Sequence, residues 1–214
     1  MRVVIAGGHG QIALLLERML AERGDQPVGL VRNPDHVADL EQVGAEAVVL
    51  DLEHASVGEL AEVLDGADAV VFAAGGGPNS GAARKETVDK GAAVLLADAA
   101  EQAGVRRYLM VSSMGTEQAD PDSDDIFQVY LRAKQAADDD LRRRDLDWTV
   151  VRPGRLTDAE GSHQIQVGTL ERGEIPRADV AATLLAALHT PETIGKTFDV
   201  LTGSHDIKEV LQSL

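Results

Sequence analysis

Tyr130 and Lys134 are the residues whose types and spacing most directly suggest chemistry. They stand four positions apart in the segment YLRAK, which is one turn of a helix, so the phenol and the ammonium would share a face. A nearby positive charge favours the phenolate and lowers the pKa of a tyrosine below its ordinary value of about 10. Such a tyrosine can give a proton to an oxygen that becomes an alkoxide, as when a carbonyl is reduced. We therefore predict a proton-transfer pair, provided that the fold binds a hydride donor beside it, and two ordinary surface residues are the alternative.

Two serines and a short turn complete the predicted reaction site. Ser112 and Ser113 follow an apolar segment, and a hydroxyl at the carboxyl end of a strand could polarise a carbonyl group. Pro153 and Gly154 follow a later apolar segment, and we predict that they shape a wall near the same place. Arg155 comes next and is predicted either to meet an anionic substrate or to form a salt bridge at the strand end.

A glycine-rich turn near the amino end predicts where the hydride donor binds. Gly7, Gly8 and Gly10 follow the apolar run VVIA and precede an amphipathic segment. Glycine permits a turn that side chains forbid, and it lets the backbone approach a pyrophosphate. The first helical residues, Gln11 and Ile12, would supply free N–H groups for the phosphates. The sequence therefore predicts dinucleotide binding, with a turn of purely structural origin as the alternative.

The end of the second apolar run indicates which dinucleotide binds. A ribose 2′-hydroxyl is usually held by an acid about twenty residues after the glycines, whereas a 2′-phosphate prefers arginine. The sequence here is LVRNP, so Arg32 and Asn33 stand where the phosphate would lie. We predict NADP rather than NAD, and a surface arginine without this role is the alternative. Asp51 and Leu52, after the third apolar run, would reach the adenine edge, unless Asp51 only forms a turn.

The elements that position these residues follow from alternating apolar runs and helical spacing. Runs typical of strands buried on both faces occupy residues 3–6, 27–31, 47–50, 69–73, 108–111 and 148–151. Helical spacing occupies residues 12–20, 81–103, 124–144 and 178–189. A seventh strand at residues 197–201 and a closing helix from residue 205 complete the pattern. This alternation predicts an α/β fold, a Rossmann-type doubly wound parallel sheet in three layers, which binds ligands at the carboxyl ends of its strands.

The irregular segments are predicted to surround that edge. Residues 115–125 form a mobile loop at a strand end, and residues 164–176 form a short hairpin or lid over the site. We expect one domain, residues 1–214, whose substrate region is built from about residues 152–176 and the carboxyl-terminal part. His9 is interpreted as a loop residue, because nothing near it in sequence would orient it.

Composition excludes several classes of function. The chain has no cysteine, so it offers no disulfide, thiolate zinc site or thiol nucleophile. Its formal charge of −16 argues against a nucleic-acid partner. Acids at residues 138–140 and arginines at 142–144 predict exposed ion pairs on a helix rather than a metal site, since consecutive side chains diverge around the axis. No apolar run is long enough for a membrane and the first is too short for a signal peptide, so we expect a cytoplasmic protein.

Seven segments together resemble the atypical short-chain dehydrogenase/reductase superfamily. They are IAGGHGQIA, VRNP, the DL after the third strand, FAAGGG, VSSMG, YLRAK and VVRPGRLTD. More narrowly, the chain up to about residue 200 resembles the NAD(P)H-binding subgroup, which is related to NmrA-like proteins and to biliverdin-IXβ and flavin reductases. The resemblance implies a Rossmann-type fold, NADP binding and a catalytic set of Ser112 or Ser113, Tyr130 and Lys134.

The resemblance also implies further roles and two departures. Ala73, Ala74 and Gly75 would line the cofactor, and Lys134 would hold its nicotinamide ribose. Asp89 stands where the family usually has asparagine, which predicts a weakened proton relay. The chain stops short of the larger carboxyl-terminal substrate domain of nucleotide-sugar epimerases, so a sugar nucleotide is disfavoured.

The function expected from these features is NADPH-dependent reduction of a small carbonyl, quinone or flavin. One alternative is an NADP-binding redox sensor without turnover, and another is an epimerase-like isomerase. The expected partner is a small-molecule substrate, and the sequence leaves open whether the protein is a monomer or a dimer.

Overall fold

A computed structural model describes residues 1–77 and 80–214 and shows helices on both faces of a mostly parallel sheet. The strands are β1 (Arg2–Ala6), β2 (Gln26–Val31), β3 (Glu46–Val49), β4 (Ala69–Phe72), β5 (Arg107–Val111), β6 (Asp147–Pro153), β7 (Arg155–Thr157), β8 (Gln164–Gly168), β9 (Glu174–Pro176), β10 (Lys196–Thr202) and β11 (His205–Asp206). The α-helices are α1 (Gln11–Glu22), α2 (Val37–Gln42), α3 (Val57–Val63), α4 (Ala82–Arg84), α5 (Ala93–Ala103), α6 (Ile126–Arg142), α7 (Arg177–Leu188) and α8 (Ile207–Gln212). A π-helical segment, Lys85–Ala92, joins α4 to α5, and single 3₁₀ turns lie at Pro34–His36, Thr116–Gln118 and Pro191–Thr193.

The strand order places a ligand-binding crevice beside the first strand. The main sheet has the order β11-β8-β10-β6-β5-β4-β1-β2-β3. The strands from β10 to β3 in this spatial order all run parallel. Strand β8 then pairs with β10 in the antiparallel direction. Because the chain leaves β1 for β2 on one side and reaches β4 on the other, a crevice opens at the carboxyl ends of β1 and β4. The Rossmann-type doubly wound sheet predicted from the sequence is therefore confirmed.

Apolar side chains fill both faces of the sheet. On one face, Phe72, Leu96 of α5 and Leu141 of α6 belong to one buried cluster. On the other face, Leu16 of α1 and Leu184 of α7 belong to a second cluster. These clusters hold α1 and α6 against the sheet edge where the predicted site residues lie. None of the helices that the structure describes is long and apolar enough to cross a bilayer.

Helices α2 and α3 lie outside the sequence prediction, and one of them had a readable signal. The Ser56 hydroxyl accepts a hydrogen bond from the backbone N–H of Glu59 at 3.2 Å, and the Glu59 carboxylate accepts one from the N–H of Ser56 at 2.8 Å. This capping box begins α3 and is visible in the sequence as S-x-x-E. Helix α2 has six residues, of which only Leu40 is buried, so it is too short to show a helical period.

For residues 164–176 the sequence left a hairpin or a lid open, and the hairpin is wrong because these strands do not pair with each other. Strand β8 joins the main sheet beside β10, whereas β9 pairs in parallel with β7, with Arg155 opposite Glu174. Two nearby strands thus find their backbone partners in different parts of the chain. Local sequence does not encode such long-range pairing, because it depends on how the whole sheet closes around the site.

Glu17 of α1 is a fully buried carboxyl group under the glycine turn. Neither of its oxygens has a hydrogen-bond partner among residues 1–77 and 80–214. The side chain packs against β2 so tightly that a Cβ built on Gly29 would lie 2.5 Å from Glu17 Oε1. Burial raises the pKa of Glu17 to about 8, so the carboxyl group is protonated at neutral pH.

We expect Glu17→Gln to change how stability depends on pH. The folded wild type keeps a proton that the unfolded chain releases, so its stability falls as the pH rises from about 4.5 to about 8. Glutamine has no proton to lose, so the free energy of unfolding of the variant minus that of the wild type should increase across this window. Urea denaturation at several pH values measures it, with Glu22→Gln on the exposed side of α1 as the control. A difference that does not vary with pH would contradict the buried neutral carboxyl.

Candidate active-site cleft

The glycine turn after β1 has the shape of a phosphate cradle. Gly7 turns with φ +84°, and a Cβ there would lie 2.6 Å from Cα of Ala74. The backbone N–H of Gly10 donates to the carbonyl of Gly7 at 2.8 Å. Gly10 caps α1 without a side chain, and the first turn of α1 carries no acid, so the helix directs free N–H groups at this turn. These features fit the pyrophosphate of a dinucleotide.

A cleft with two chambers runs from this turn along the carboxyl edge of the sheet. The first chamber, about 320 Å³, and the second chamber, about 1200 Å³, share the wall formed by Ala73, Ala74 and Gly75. The predicted residues that line the first chamber are Gly7, Gly10, Arg32, Asn33, Asp51 and Leu52. Those that line the second chamber are Ile12, Ser112, Ser113, Tyr130, Lys134, Pro153 and Gly154. The fold thus brings residues from distant parts of the sequence to one cleft.

Two residues predicted to contact the cofactor, Gly8 and Gln11, are not among the residues that line the two chambers. Gly8 donates its N–H to the carbonyl of Leu30 at 3.0 Å, and a Cβ on Gly8 would lie 2.7 Å from Cα of Gly29. The absence of a side chain at Gly8 therefore allows the glycine turn to pack closely against β2. Gln11 is exposed at the first position of α1, outside the described lining of the cleft.

An acid lies between two arginines at the outer end of the first chamber. Glu53 Oε2 accepts hydrogen bonds from Arg32 Nη1 at 3.1 Å and from Arg84 Nη2 at 3.0 Å. Its other oxygen accepts one from the Thr87 hydroxyl at 2.7 Å. Arg32 is 53% exposed, so its guanidinium is accessible to a ligand. Sequence reasoning missed Arg84 and Glu53, which come from α4 and from the loop before α3.

Asn33 and Asp51 also make local turns in the first chamber. The Asn33 side chain accepts a hydrogen bond from the backbone N–H of Asp35 at 3.1 Å and thereby caps a 3₁₀ turn. Asp51 accepts one from the N–H of Glu53 at 3.0 Å. The turn-forming role that the sequence allowed for Asp51 is therefore present, and the residue lines the chamber as well.

His9 is held in place, contrary to the expectation that nothing orients it. Its Nε2 lies 2.8 Å from Asp39 Oδ2, and its ring stacks on that of His36 with centroids 3.6 Å apart. Both partners come from the turn that begins α2, about thirty residues along the chain, so the sequence around His9 gives no sign of them. His9 lines the first chamber at the edge of the glycine turn.

Lys134 lies at the inner end of the second chamber as a buried ammonium. Its Nζ donates to the carbonyl oxygens of Val111 at 3.1 Å and Ala74 at 3.3 Å, so it joins the ends of β5 and β4. A second lysine, Lys85, is also buried and donates to the carbonyl of Gly77 at 2.7 Å. The Lys85 ammonium lies 5.2 Å from the centre of the Tyr130 ring. Sequence reasoning missed Lys85 because the π-helical segment that carries it shows no motif.

Asp89 connects these two lysines to the loop after β4. It is fully buried, and its carboxylate lies 3.6 Å from Lys134 Nζ and 4.0 Å from Lys85 Nζ. Its Oδ2 accepts a hydrogen bond from the N–H of Gly76 at 3.0 Å. The aspartate that stands in place of the family's asparagine is therefore the centre of a buried charge cluster, carried by a π-helical segment of the kind often found at functional sites.

The pKa of Tyr130 moves in the direction opposite to our prediction. Burial, together with the negative charge of Asp89, raises it to about 12, and a hydrogen bond with Ser113 acts against this rise. The pKa of Lys134 is itself lowered by burial, while Asp89 opposes this change. The prediction of a lowered tyrosine pKa is wrong here because burial disfavours the phenolate, and the negative charge of Asp89 adds to that effect. Tyr130 is consequently a neutral phenol at physiological pH, which is the form that can donate a proton.

We expect Asp89→Asn to lower the pKa of Tyr130, because it removes the negative charge that disfavours the phenolate. The chain has two tyrosines, and the pKa of the other, Tyr108, is raised well above 10 by complete burial. Absorbance of tyrosinate at about pH 10.5 should therefore increase in the variant through Tyr130 alone. Glu86→Gln, an exposed change on the same segment, is the control, and circular dichroism checks that the fold is intact. Equal tyrosinate signals in wild type and Asp89→Asn would contradict the charge cluster.

The two serines have different surroundings. The Ser112 hydroxyl is buried and donates to Asp138 Oδ2 at 2.9 Å, so its proton faces away from a substrate in the cleft. The Ser113 hydroxyl is partly buried and donates to the carbonyl of Met114 at 3.2 Å. Ser113 is also the serine that acts to lower the pKa of Tyr130. This effect and its partial exposure favour Ser113 over the buried Ser112 as the hydroxyl beside the phenol.

Asp138 corrects the prediction of three exposed ion pairs on α6. It is fully buried, and its Oδ2 accepts hydrogen bonds from Arg152 Nε at 3.0 Å and Nη2 at 2.9 Å. The other two acids do form ion pairs, Asp139 with Arg142 at 3.0 Å and Asp140 with Arg144 at 2.6 Å, and the second pair is partly buried because the Arg144 side chain is 13% exposed. Asp138 points inward because it lies one turn after Lys134, on the buried face of α6. Asp138 and Arg152 thus support Ser112 from behind the cleft.

The walls of the second chamber include Arg155 and the segment after β8. Arg155 forms an ion pair with Glu174, which agrees with the salt bridge allowed by the sequence.

The loop before α6 is held against that helix by Arg132, which donates to the carbonyl of Ser123 at 2.8 Å. In the part of the chain that the structure describes, no group of three or more acids and histidines could hold a metal ion.

Comparisons with known proteins agree with this geometry. A family model described as NAD(P)H-binding matches residues 7–191. The chain is 35% identical to the uncharacterised sugar epimerase YhfK of Bacillus subtilis, with all of both chains covered. A structure from Bacillus halodurans, described as a candidate NAD-dependent epimerase/dehydratase, is 38% identical with a TM-score of 0.92, and both chains are covered completely. The oxidoreductase ylbE of Lactococcus lactis is 30% identical with a TM-score of 0.89, covering 100% of this chain and 96% of that one. The chain therefore belongs to the NAD(P)H-binding family, the subgroup that its sequence motifs resemble.

Proposed function

We propose that this protein is an NADPH-dependent reductase that transfers a hydride to a small or planar carbonyl, quinone or flavin. The observation that carries the proposal is the continuity of the cleft. The wall of Ala73, Ala74 and Gly75 is shared by the chamber of the glycine turn and the chamber of Tyr130 and Lys134. A dinucleotide with its pyrophosphate at the turn would extend along this wall toward the tyrosine.

The first chamber supports NADPH over NADH. Gly7, Gly10 and the amino end of α1 would hold the pyrophosphate, and Arg32 and Arg84 would hold the 2′-phosphate. Both arginines already bind one carboxylate, that of Glu53, so their guanidinium groups converge on one place. A phosphate would compete with Glu53 for them, which makes this acid the element that limits NADPH affinity.

The second chamber supplies the groups that a reduction needs. NADPH, when bound, supplies the hydride. Tyr130, as a neutral phenol, donates a proton to the acceptor oxygen, and Ser113 can hydrogen-bond the same oxygen. Lys134 would hold the nicotinamide ribose, and Asp89 fixes both the lysine and the N–H of Gly76. Pro153 and Gly154 close the wall beside them.

Two other functions use the same cleft. The names of YhfK and of the Bacillus halodurans protein refer to epimerases, which favours an isomerase in which a hydride is removed and returned. A sensor would bind NADPH without consuming it. Both alternatives keep the first chamber as described and differ in what happens in the second.

The proposal is tested by following NADPH absorbance with the purified protein and a panel of aldehydes, quinones and flavins. Steady consumption that scales with acceptor concentration is the expected result. Tight NADPH binding without consumption would favour the sensor. Product isomerisation without net consumption would favour the epimerase.

A further inference from the structure

Two lysine ammonium groups are buried close together at the inner end of the second chamber. The side chains of Lys85 and Lys134 are 6% and 5% exposed, and both residues line the chamber. A buried charge is costly unless another charge pairs with it. Within residues 1–77 and 80–214, the acid that pairs with these lysines is Asp89, whose carboxylate lies 4.0 Å from Lys85 Nζ and 3.6 Å from Lys134 Nζ.

One aspartate does not neutralise two lysines. Backbone carbonyl oxygens accept the other hydrogen bonds of both ammonium groups, and a carbonyl satisfies a donor without carrying a net charge. The next buried acid, Asp138, is already paired with Arg152 at 2.9 Å. Arg152 also pairs with Glu117, but that side chain is 62% exposed, so water screens its charge. The buried cluster therefore keeps an excess of one positive charge.

Lys85 brings that excess charge toward the reaction site. The Lys134 ammonium lies 5.1 Å from the centre of the Phe72 ring and bonds to the ends of β4 and β5, so it belongs to the sheet edge. The Lys85 ammonium lies 5.2 Å from the centre of the Tyr130 ring. Since Tyr130 is the proposed proton donor, the charge of Lys85 lies close to the place where hydride transfer would occur.

The two oxidation states of the cofactor differ in charge at this place. The nicotinamide ring of NADP⁺ carries a positive charge, whereas the ring of NADPH is neutral, and the rest of the molecule is the same in both. A fixed positive charge beside the ring therefore disfavours NADP⁺ and affects NADPH little. Because the lysines are buried, salt and water weaken this repulsion less than they would at the surface.

We propose that Lys85 makes the site prefer the reduced cofactor, because its charge is the one that Asp89 leaves uncompensated and it opposes the positive ring of NADP⁺. The inference rests on the proposed function for the position of the nicotinamide beside Tyr130. It adds a residue that determines which oxidation state binds. The preference suits a reductase, which takes up NADPH and releases NADP⁺, and it is unfavourable for an epimerase, which begins with the oxidised cofactor in order to remove a hydride.

The test compares the dissociation constants of NADPH and NADP⁺, measured by calorimetry on the purified protein without an acceptor. We expect NADP⁺ to bind at least about tenfold more weakly. This is the effect of two like charges about 10 Å apart at the effective dielectric constant of about 20 that describes protein sites. A tenfold ratio corresponds to about 30 mV in the reduction potential of the bound two-electron couple.

Variants then assign the ratio to the charge of Lys85. Lys85→Gln and Lys85→Met should bring the ratio close to one by strengthening NADP⁺ binding, and Lys85→Arg, which keeps the charge, should preserve it. Loss of the hydrogen bond to Gly77 would by itself weaken both cofactors alike, so the ratio distinguishes the charge from a structural role. Lys90→Gln is the matched control, because Lys90 lies on the same π-helical segment, is 42% exposed and should leave the ratio unchanged.

Two results would overturn the inference. One is a wild type that binds NADP⁺ as tightly as NADPH, and this result needs no variant. The other is a wild-type preference that persists in Lys85→Gln or Lys85→Met, with circular dichroism showing that the variant is folded.

Binding and turnover separate this inference from the proposed function. A preference for NADPH that Lys85→Gln removes, without NADPH consumption by any acceptor, would support the role of Lys85 and count against the reductase. Steady NADPH consumption by a wild type that binds both oxidation states equally would support the reductase and count against the role of Lys85.

Discussion

Replacing Tyr130 with phenylalanine is expected to lower kcat for carbonyl acceptors by about 10²- to 10⁴-fold, the usual range for loss of a positioned acid. The variant keeps the ring beside Phe127 and under the Lys85 ammonium and loses only the hydroxyl. NADPH should therefore bind with an unchanged dissociation constant, because Arg32 and the glycine turn are untouched. The rate of NADPH consumption at saturating acceptor measures kcat, and fluorescence titration measures the NADPH dissociation constant.

The matched control for this change is the other tyrosine. Tyr108 is fully buried in β5 and donates its hydroxyl to the carbonyl of Ala93 at 3.1 Å, outside the cleft. Tyr108→Phe should lower stability by about 1 kcal/mol through the lost hydrogen bond and leave kcat unchanged. Carbonyl reduction that continues in Tyr130→Phe at the wild-type rate would show that the proton comes from elsewhere.

Replacing Arg32 with glutamate is expected to weaken NADPH binding by about 10- to 100-fold, since a hydrogen bond to a charged group contributes about 1.5–3 kcal/mol. The new carboxylate also repels the 2′-phosphate and joins Glu53, which already lies at this place. NADH has no 2′-phosphate, so its affinity should change little. The quantity to measure is the ratio of the NADPH and NADH dissociation constants.

Two variants make this prediction specific. Arg23→Glu has the same charge change at the far end of α1, where Arg23 is 50% exposed, and should leave the ratio unchanged. Glu53→Gln removes the acid that competes for Arg32 and Arg84, and it should strengthen NADPH binding. If Arg32→Glu does not change the ratio, Arg32 is a surface arginine and the choice of NADPH loses its support.

Features that depend on local sequence could be predicted well. The parallel strands were predicted from unbroken apolar runs, and the position of the glycine turn between β1 and α1 follows from Gly7 and Gly10. The placement of Tyr130 and Lys134 on α6 beside the end of β5 was also predicted, because one helical period and one strand end are enough to define it.

Features that depend on distant partners could not be predicted. Lys85 lies over the ring of Tyr130 only because the π-helical segment packs against α6, and Arg84 meets Arg32 only through Glu53. Asp138 looks like its neighbours Asp139 and Asp140 in sequence, but it is fully buried and pairs with Arg152 of β6. The raised pKa of Tyr130 follows from such packing, since burial and the charge of Asp89 decide it.

The most direct test of the account is to follow deuterium from NADPH labelled at C4 into the alcohol formed from the carbonyl acceptor that is reduced fastest, because deuterium bound to carbon does not exchange with water. The account predicts that the reduced acceptor gains the deuterium from only one of the two C4 epimers, because the cleft holds the cofactor in one orientation against Tyr130. Product without deuterium from either epimer, or deuterium that returns to the substrate as an isomer, would contradict hydride transfer to an acceptor as the function of this cleft.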